Sequence, residues 1–328
     1  MRWLLLLVLL IRLAGAQMLP VSNWQPERTW LLAVGVLEWQ YSHIWPSFPK
    51  QNRRDQMLVE AMLRRGVPQL QVRALYDREA TGQAVQAQVN DLIARIPAGD
   101  TLVIYYAGHG YRENNESKFW MVPYDGSNPS TLWNLEELAG RLEKDCKAER
   151  VMLIADCCFS GSLRLLARRH QGRLGFAGFS SSLARLSSTG NWTFSDAILD
   201  GIRGDPRMDR DRDGWVSLEE LAQQVEQDMW FAEGQRGGGT GSTGFPLSQK
   251  WFQVPRSLSN GEGQFVWVMW GGRRWKARVL ERRGDQVKVR WVGLPQDYPD
   301  DWVPASDVTG YEMPTLPPLG RPRSGATR

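Results

Sequence analysis

The sequence predicts an α/β chain with a doubly wound, mostly parallel sheet, followed by a small all-β barrel. Three observations carry this. Apolar, strand-like runs alternate with amphipathic helical stretches from residue 31 to about residue 202, the order that a parallel sheet covered on both faces requires. Two of those runs, 102–106 and 151–155, end in small or polar residues that include a histidine and a cysteine. Beyond residue 261 the pattern changes to short alternating strands separated by glycine turns, which indicates a small barrel.

The first sixteen residues stand apart. Met1-Arg2 is a short basic start, 3–11 is apolar, and Ala14-Gly15-Ala16 precedes Gln17 as a small-residue cleavage site, the layout of a signal peptide. Arg12 leaves the run too short to span a bilayer. The expectation is a secreted or periplasmic protein without a membrane span. The main unit is then expected over 17–255, with strands at 31–36 and 71–76 and helices at 54–65 and 81–96, the second capped by Thr81. The histidine strand follows, then a helix at 132–143, the cysteine strand at 150–155, a strand at 175–180 and a helix at 194–202. No internal repeat is visible.

Composition is that of a globular protein, 42% apolar and 23% charged, enough for a full core. The formal charge of +4 falls to about +2 without Arg2 and Arg12, too little to imply nucleic acid as a partner. The 3 cysteines exclude a disulfide-stapled scaffold. Cys157 reads as a small buried side chain beneath a strand end, and Cys146 has no evident partner.

The chemistry concentrates in Tyr105-Tyr106-Ala107-Gly108-His109-Gly110 and Asp156-Cys157-Cys158-Phe159-Ser160-Gly161. Open α/β sheets place their chemistry at the carboxyl ends of strands, so Cys158 reads as nucleophile and His109 as its base. His43 and His170 lack a strand-end context. Asp156, two residues before Cys158, shares its face of the strand.

With His109 and Cys158 separated by 49 positions, these motifs resemble the caspase-like cysteine peptidase superfamily. The Asp-x-Cys-x-Ser-Gly form is closer to its metacaspase and bacterial branch than to true caspases, whose Gln-Ala-Cys block is missing. The resemblance covers about 29–254 and includes the first strand, Asp55 at a helix start, and Val122-Pro123-Tyr124-Asp125. It implies an endopeptidase in which Gly110 and Cys158 N–H groups form the oxyanion hole. It also implies that Asp156 and Asp55 line an acidic pocket, so the partner is a peptide or protein cut after Arg, then Lys. The alternative is a non-proteolytic interaction platform.

Downstream, residues 209–220 fill each ligand slot of an EF-hand-like calcium loop. Asp209, Asp211 and Asp213 supply carboxylates, Gly214 the turn, Trp215 a carbonyl, Ser217 a hydroxyl and Glu220 a bidentate acid. Ca²⁺ is the expected ion, outside the chemistry itself; an Asp-rich turn without an ion is the other reading.

After a linker at 256–262, residues 263–310 resemble a Tudor-knot or chromo-barrel module. The resemblance implies an aromatic cage for an unknown ligand, drawn from Trp270, Trp275, Trp291, Tyr298 and Trp302, any of which can equally be core of so small a barrel. The module is expected to separate from the main unit at about residue 259. The Pro/Gly-rich segment 311–328 is expected to be a disordered tail.

Overall fold

The computed structural model describes residues 23–51, 53–113, 118–255, 262–295 and 298–310. The expected signal segment, all of the expected linker except Glu262, and the expected tail lie outside the described residues. No helix among the described residues is long and apolar enough to cross a membrane.

In chain order the main unit contains β1 (Thr29–Gly35), α1 (Arg54–Arg64), β2 (Val72–Tyr76), α2 (Gly82–Arg95) and β3 (Thr101–Ala107). Three short strands follow, β4 (Gly110–Tyr111), β5 (Trp120–Met121) and β6 (Trp133–Asn134), then α3 (Leu135–Asp145), β7 (Arg150–Asp156), α4 (Gly161–Arg169) and β8 (Gly175–Ser180). The unit ends with α5 (Thr193–Arg203), β9 (Trp215–Ser217), α6 (Leu218–Glu233), β10 (Gly238–Gly241) and β11 (Lys250–Gln253).

Six strands form one sheet in the order β10-β8-β7-β3-β1-β2, parallel except for β10 against β8. Successive side chains leave a strand on opposite faces. Leu32, Val34, Leu102 and Ile104 therefore meet apolar residues of α2, α3 and α4. Leu31, Ala33, Val103 and Tyr105 meet those of α1, α5 and α6 on the other side. Helices on both faces explain why β1 and β3 are buried along their whole length.

Two elements differ from the sequence expectation. The helix expected from 132 begins at Leu135, because Trp133 and Asn134 pair with β5 and the Asn134 side chain caps α3 by accepting from Glu137 N–H at 3.0 Å. The glycine-rich stretch 234–244, for which no strand is expected, supplies the antiparallel edge strand β10. A Cβ on Gly239 would lie 2.7 Å from the Phe179 ring and one on Gly241 2.2 Å from the Phe245 carbonyl. Only glycine passes through so narrow a space, which hides the strand from composition.

The second unit has β12 (Phe265–Trp270), β13 (Arg273–Arg283), β14 (Gln286–Trp291), β15 (Asp301–Pro304) and β16 (Val308–Gly310). These form a five-stranded antiparallel sheet around Val266, Val268, Ala277, Val279, Val287, Val289, Trp291 and Val303. The opposite parity of β12 and β13 faces the main unit. Phe231 of α6 meets the rings of Phe265 at 5.6 Å and Trp267 at 5.4 Å. Arg278 is buried against Asp196 and Asp200 of α5. A cut near residue 259 would therefore expose a seam containing charge, a feature the expectation of a separable module did not include.

Candidate active site

Strand register builds the site. Ala107 of β3 pairs with Asp156 of β7, so His109 and Cys158, each two residues further on, emerge at the same height beyond neighbouring strands. The two turns touch: a Cβ on Gly110 would fall 2.0 Å from the Cys158 carbonyl oxygen. Gly108 is equally constrained, since a Cβ there would lie 2.9 Å from the Val36 carbonyl at the end of the next strand.

The two adjacent tyrosines serve opposite faces. The Tyr106 hydroxyl lies 2.7 Å from the His109 carbonyl and accepts from Val122 N–H at 3.1 Å, which fixes the histidine backbone. The Tyr105 hydroxyl reaches Ser195 of α5 at 2.7 Å on the other side.

The His109 ring stands among Trp39, Phe48 and Trp45, with centroids 4.4, 4.6 and 5.6 Å away. Its Nε2 is 2.8 Å from the Pro46 carbonyl. A carbonyl only accepts, so Nε2 carries the hydrogen and Nδ1 of the neutral ring keeps its lone pair. Burial lowers the imidazole pKa, against the Pro46 carbonyl, which raises it. Burial thus favours the neutral ring.

The Cys158 thiol accepts from Ser188 N–H at 3.3 Å. Its hydrogen-bond partner among the described residues is thus Ser188 and not His109. Phe159, the next residue, has φ 60°, a left-handed conformation that a non-glycine residue adopts only when its surroundings impose it. Serines supply the restraint: Ser181 Oγ accepts from Cys157 N–H at 3.1 Å, Ser182 Oγ donates to the Cys157 carbonyl at 3.1 Å, and Ser188 Oγ donates to Ser181 Oγ at 2.8 Å. Cys157 itself is buried, and burial pushes its thiol pKa well up.

A cleft opens beside the thiol, lined among others by Leu37, Phe48, Asp156, Cys158, Ser188 and Trp192. Asp156 accepts from Ser195 Oγ at 2.7 Å. Burial pushes its pKa up to about 6, with hydrogen bonds from Ser195 and Ser181 opposing the rise. Asp55 stands behind the neighbouring strand end. Its fully buried carboxylate lies against Gly35, where a Cβ would fall 1.8 Å from Oδ2, and it is absent from the cleft lining. It accepts from Gln56 N–H at 2.9 Å and from the Arg53 guanidinium, which also bonds Asp77 at 2.6 Å. A cation of the chain itself thus satisfies Asp55, and Asp156 is the acid that the cleft presents.

Asp156 carries a stability consequence. Its pKa of about 6 lies above the ordinary 3.8, so the folded state binds the proton more tightly. The resulting penalty is complete above pH 6 and vanishes as the pH falls below 3.8. At about 1.4 kcal/mol per pH unit it amounts to roughly 3 kcal/mol. Asp156→Asn should be the more stable protein at pH 7.5, with the difference closing by pH 4 in guanidinium midpoints. A constant difference across that range would remove burial of the charge as its cause.

In the 209–220 loop the carboxylates of Asp209, Asp211 and Asp213 come within 4.8 Å of one another. Glu220 closes the loop: it accepts from Arg210 N–H at 2.7 Å and Ser217 N–H at 2.8 Å, in a capping box at the start of α6. β9, which carries Trp215 and Ser217, pairs with β11. Lys250 of that strand lies 2.6 Å from Asp213. The convergent hard oxygens suit Ca²⁺, though entry of the ion would have to displace the ammonium group.

Of the candidate cage aromatics, Trp270 and Trp275 are exposed and flank the buried Trp291 at 5.9 and 6.4 Å. The Trp291 indole donates to Asp301 at 2.6 Å. Trp302 lies under Arg283, 5.2 Å from its guanidinium carbon, and Tyr298 is exposed. Sequence reading missed Pro46, Ser188 and Ser195. The run Ser180-Ser181-Ser182 was the one local hint of a hydroxyl-rich restraint.

A thiol and an imidazole thus stand at adjacent strand ends of a doubly wound sheet. The caspase domain family model (Peptidase C14) matches residues 48–238, more than half of the sequence. The chain belongs to this cysteine peptidase family. Metacaspase-4 of Arabidopsis thaliana is 31% identical over 93 residues, covering 26% of this chain and 21% of the plant protein. The match thus spans about a fifth of that relative. Among solved structures, GSU0716 from Geobacter sulfurreducens shares 16% identity at a TM-score of 0.48, covering 71% of this chain and 99% of its own. The Drosophila initiator caspase Dronc shares 10% identity at 0.46, covering 74% and 91%. At these TM-scores the two likenesses carry no weight for the site.

Proposed function

We propose that the chain is an endopeptidase cleaving after basic residues, Arg before Lys, with Cys158 as nucleophile and His109 as base. The observation supporting it most is that Cys158 and the half-buried Asp156 line one cleft while His109 stands at the neighbouring strand end. In this reading His109 Nδ1 takes the thiol proton as Sγ attacks the scissile carbonyl. The oxyanion forms toward the N–H groups of Gly110 and Cys158. The imidazolium then returns its proton to the departing amine, leaving a thioester that water hydrolyses to the acid and the free thiol. The Pro46 carbonyl holds the ring in the tautomer this requires.

Asp156 supplies the specificity. Its desolvated carboxylate is ionised above pH 6, and a guanidinium offers it two parallel donors where an ammonium offers one point charge. The loop from Asp209 is proposed to hold Ca²⁺ through Asp209, Asp211, Asp213, the Trp215 carbonyl, Ser217 and Glu220. The ion there would supply charge neutralisation and loop rigidity. Trp270 and Trp275 are proposed as the recognition face of the second unit.

A peptide library with free basic and acidic positions, digested with and without Ca²⁺, tests the activity. Cleavage after Arg and Lys is expected; no cleavage by protein whose Cys158 alkylates normally would favour the interaction-platform reading. For the loop, Ca²⁺ should raise the melting temperature of the protein, by the equivalent of about 2.7 kcal/mol at a hundred times Kd. Asp209→Asn should remove most of that gain. Equal melting temperatures in chelator and in millimolar Ca²⁺ would discard the ion.

A further inference from the structure

The seam between the two units contains a buried charge cluster that the chemistry above does not use. Arg278, on the outward face of β13, lies 2.5 Å from Asp200 and 2.7 Å from Asp196. Asp196 is also held by Arg54 at the start of α1. Asp228 of α6 is buried beside them and accepts from Gln224 Nε2 at 2.8 Å. Burial raises the pKa of Asp200 and of Asp228, the latter to about 7, in both cases against Arg278. At Asp196 burial is outweighed by Arg278 and Arg54, and the carboxyl stays low. A cation enclosed by three acids leaves uncompensated buried charge when it is removed.

The same turn of α5 reaches the cleft. Trp192, which lines the cleft, caps the helix in a left-handed conformation with φ 63°. Ser195 donates to Asp156, and Asp196, the next residue, forms an ion pair with Arg278. A second tie runs alongside. Lys276 donates to the Phe231 carbonyl near the end of α6, and Glu233 two residues on accepts from Thr193 Oγ and, at 3.1 Å, from Asn191 Nδ2. The second unit therefore grips both segments that hold the cleft wall.

We propose that Arg278 is a positioning residue for the cleft: by clamping Asp196 and Asp200 it fixes the first turn of α5, and with it Trp192, Ser195 and the orientation of the Asp156 carboxylate. An enzyme site loses binding or rate when such a support slackens, even far from the reacting atoms. The kinetic part of the test rests on the basic-residue reading, and the exchange part does not.

The test uses the full-length protein with Arg278→Met and Arg278→Lys, an Arg-ending peptide amide as substrate, and iodoacetamide as a substrate-independent probe of Cys158. In Arg278→Met, KM should rise about tenfold, the worth of one charge-assisted hydrogen bond. kcat should stay within about threefold and alkylation within about twofold. Arg278→Lys should restore most of KM. Hydrogen exchange of the backbone amides 194–199 should quicken in Arg278→Met while those of β1 and β3 keep their rates. Wild-type KM in an active variant, or unchanged exchange across α5, overturns the proposal and leaves the cluster as adhesive between units. Should Arg278→Met not fold, Arg278→Lys carries both comparisons against the parent, with smaller shifts of the same sign. A parent protein inactive toward Arg peptides would sink the basic-residue reading, and the exchange result would then judge the clamp alone.

Discussion

Replacing Cys158 with Ala should abolish peptide hydrolysis, and replacing His109 with Ala should lower kcat/KM by about 10³-fold, within the range for loss of a general base. Cys157→Ala should stay within about threefold of the parent. The two cysteines are neighbours in sequence but not in role. Both line the cleft, but Cys158 is half-exposed there, whereas Cys157 is buried with its N–H and carbonyl tied to Ser181 and Ser182. Circular dichroism should show all three variants folded, because Cys158 is only half-buried and truncating Cys157 removes a single sulfur from the core. An inactive Cys157→Ala beside an active Cys158→Ala would move the nucleophile by one residue.

Asp156→Asn should lower kcat/KM toward Arg-ending peptides by about 100-fold, the loss of a charged pair in a desolvated site. Alkylation of Cys158 should be little changed. The parent should also show an acid limb. With the free-enzyme pKa at about 6, protonation removes the carboxylate charge below that pH, and kcat/KM for basic substrates should fall about tenfold per unit. The limb should disappear in Asp156→Asn, leaving only the one from His109, whose burial places it below the ordinary histidine range. Preferential hydrolysis of Asp-ending peptides would refute the specificity reading.

Much of this protein is legible in its sequence, for local reasons. The strands that end near His109 and Cys158 are strongly apolar runs cut off by glycine or small polar residues, and that contrast is written in adjacent residues. Asp156 and Cys158 line one cleft, as does Cys157 between them, because the strand ends at Asp156 and strict alternation ends with it. Asp55 shows where such reading stops. Its position at a helix start and its partner Arg53, two residues before it, are local, but Gly35, against which its carboxylate lies, and Asp77, which shares the Arg53 guanidinium, are brought there by a fold of the chain that no spacing records. β10 was hidden for a related reason: its glycines answer to Phe179 and Phe245, residues brought there only by the sheet.

The sequence alone determined the alternation of strands and helices, the two strand-end motifs, the acidic loop and the change of style after residue 261, because each depends on side chains within a few residues of one another. Tertiary structure alone decided the tautomer of His109, through a carbonyl 63 residues away at Pro46, and the restraint of Cys158 by Ser188, 30 residues on. It also decided that Arg278 meets Asp196 across 82 residues. Hydrogen bonds and ion pairs of this kind act over a few ångströms, and only the folded backbone determines which distant residues come that close.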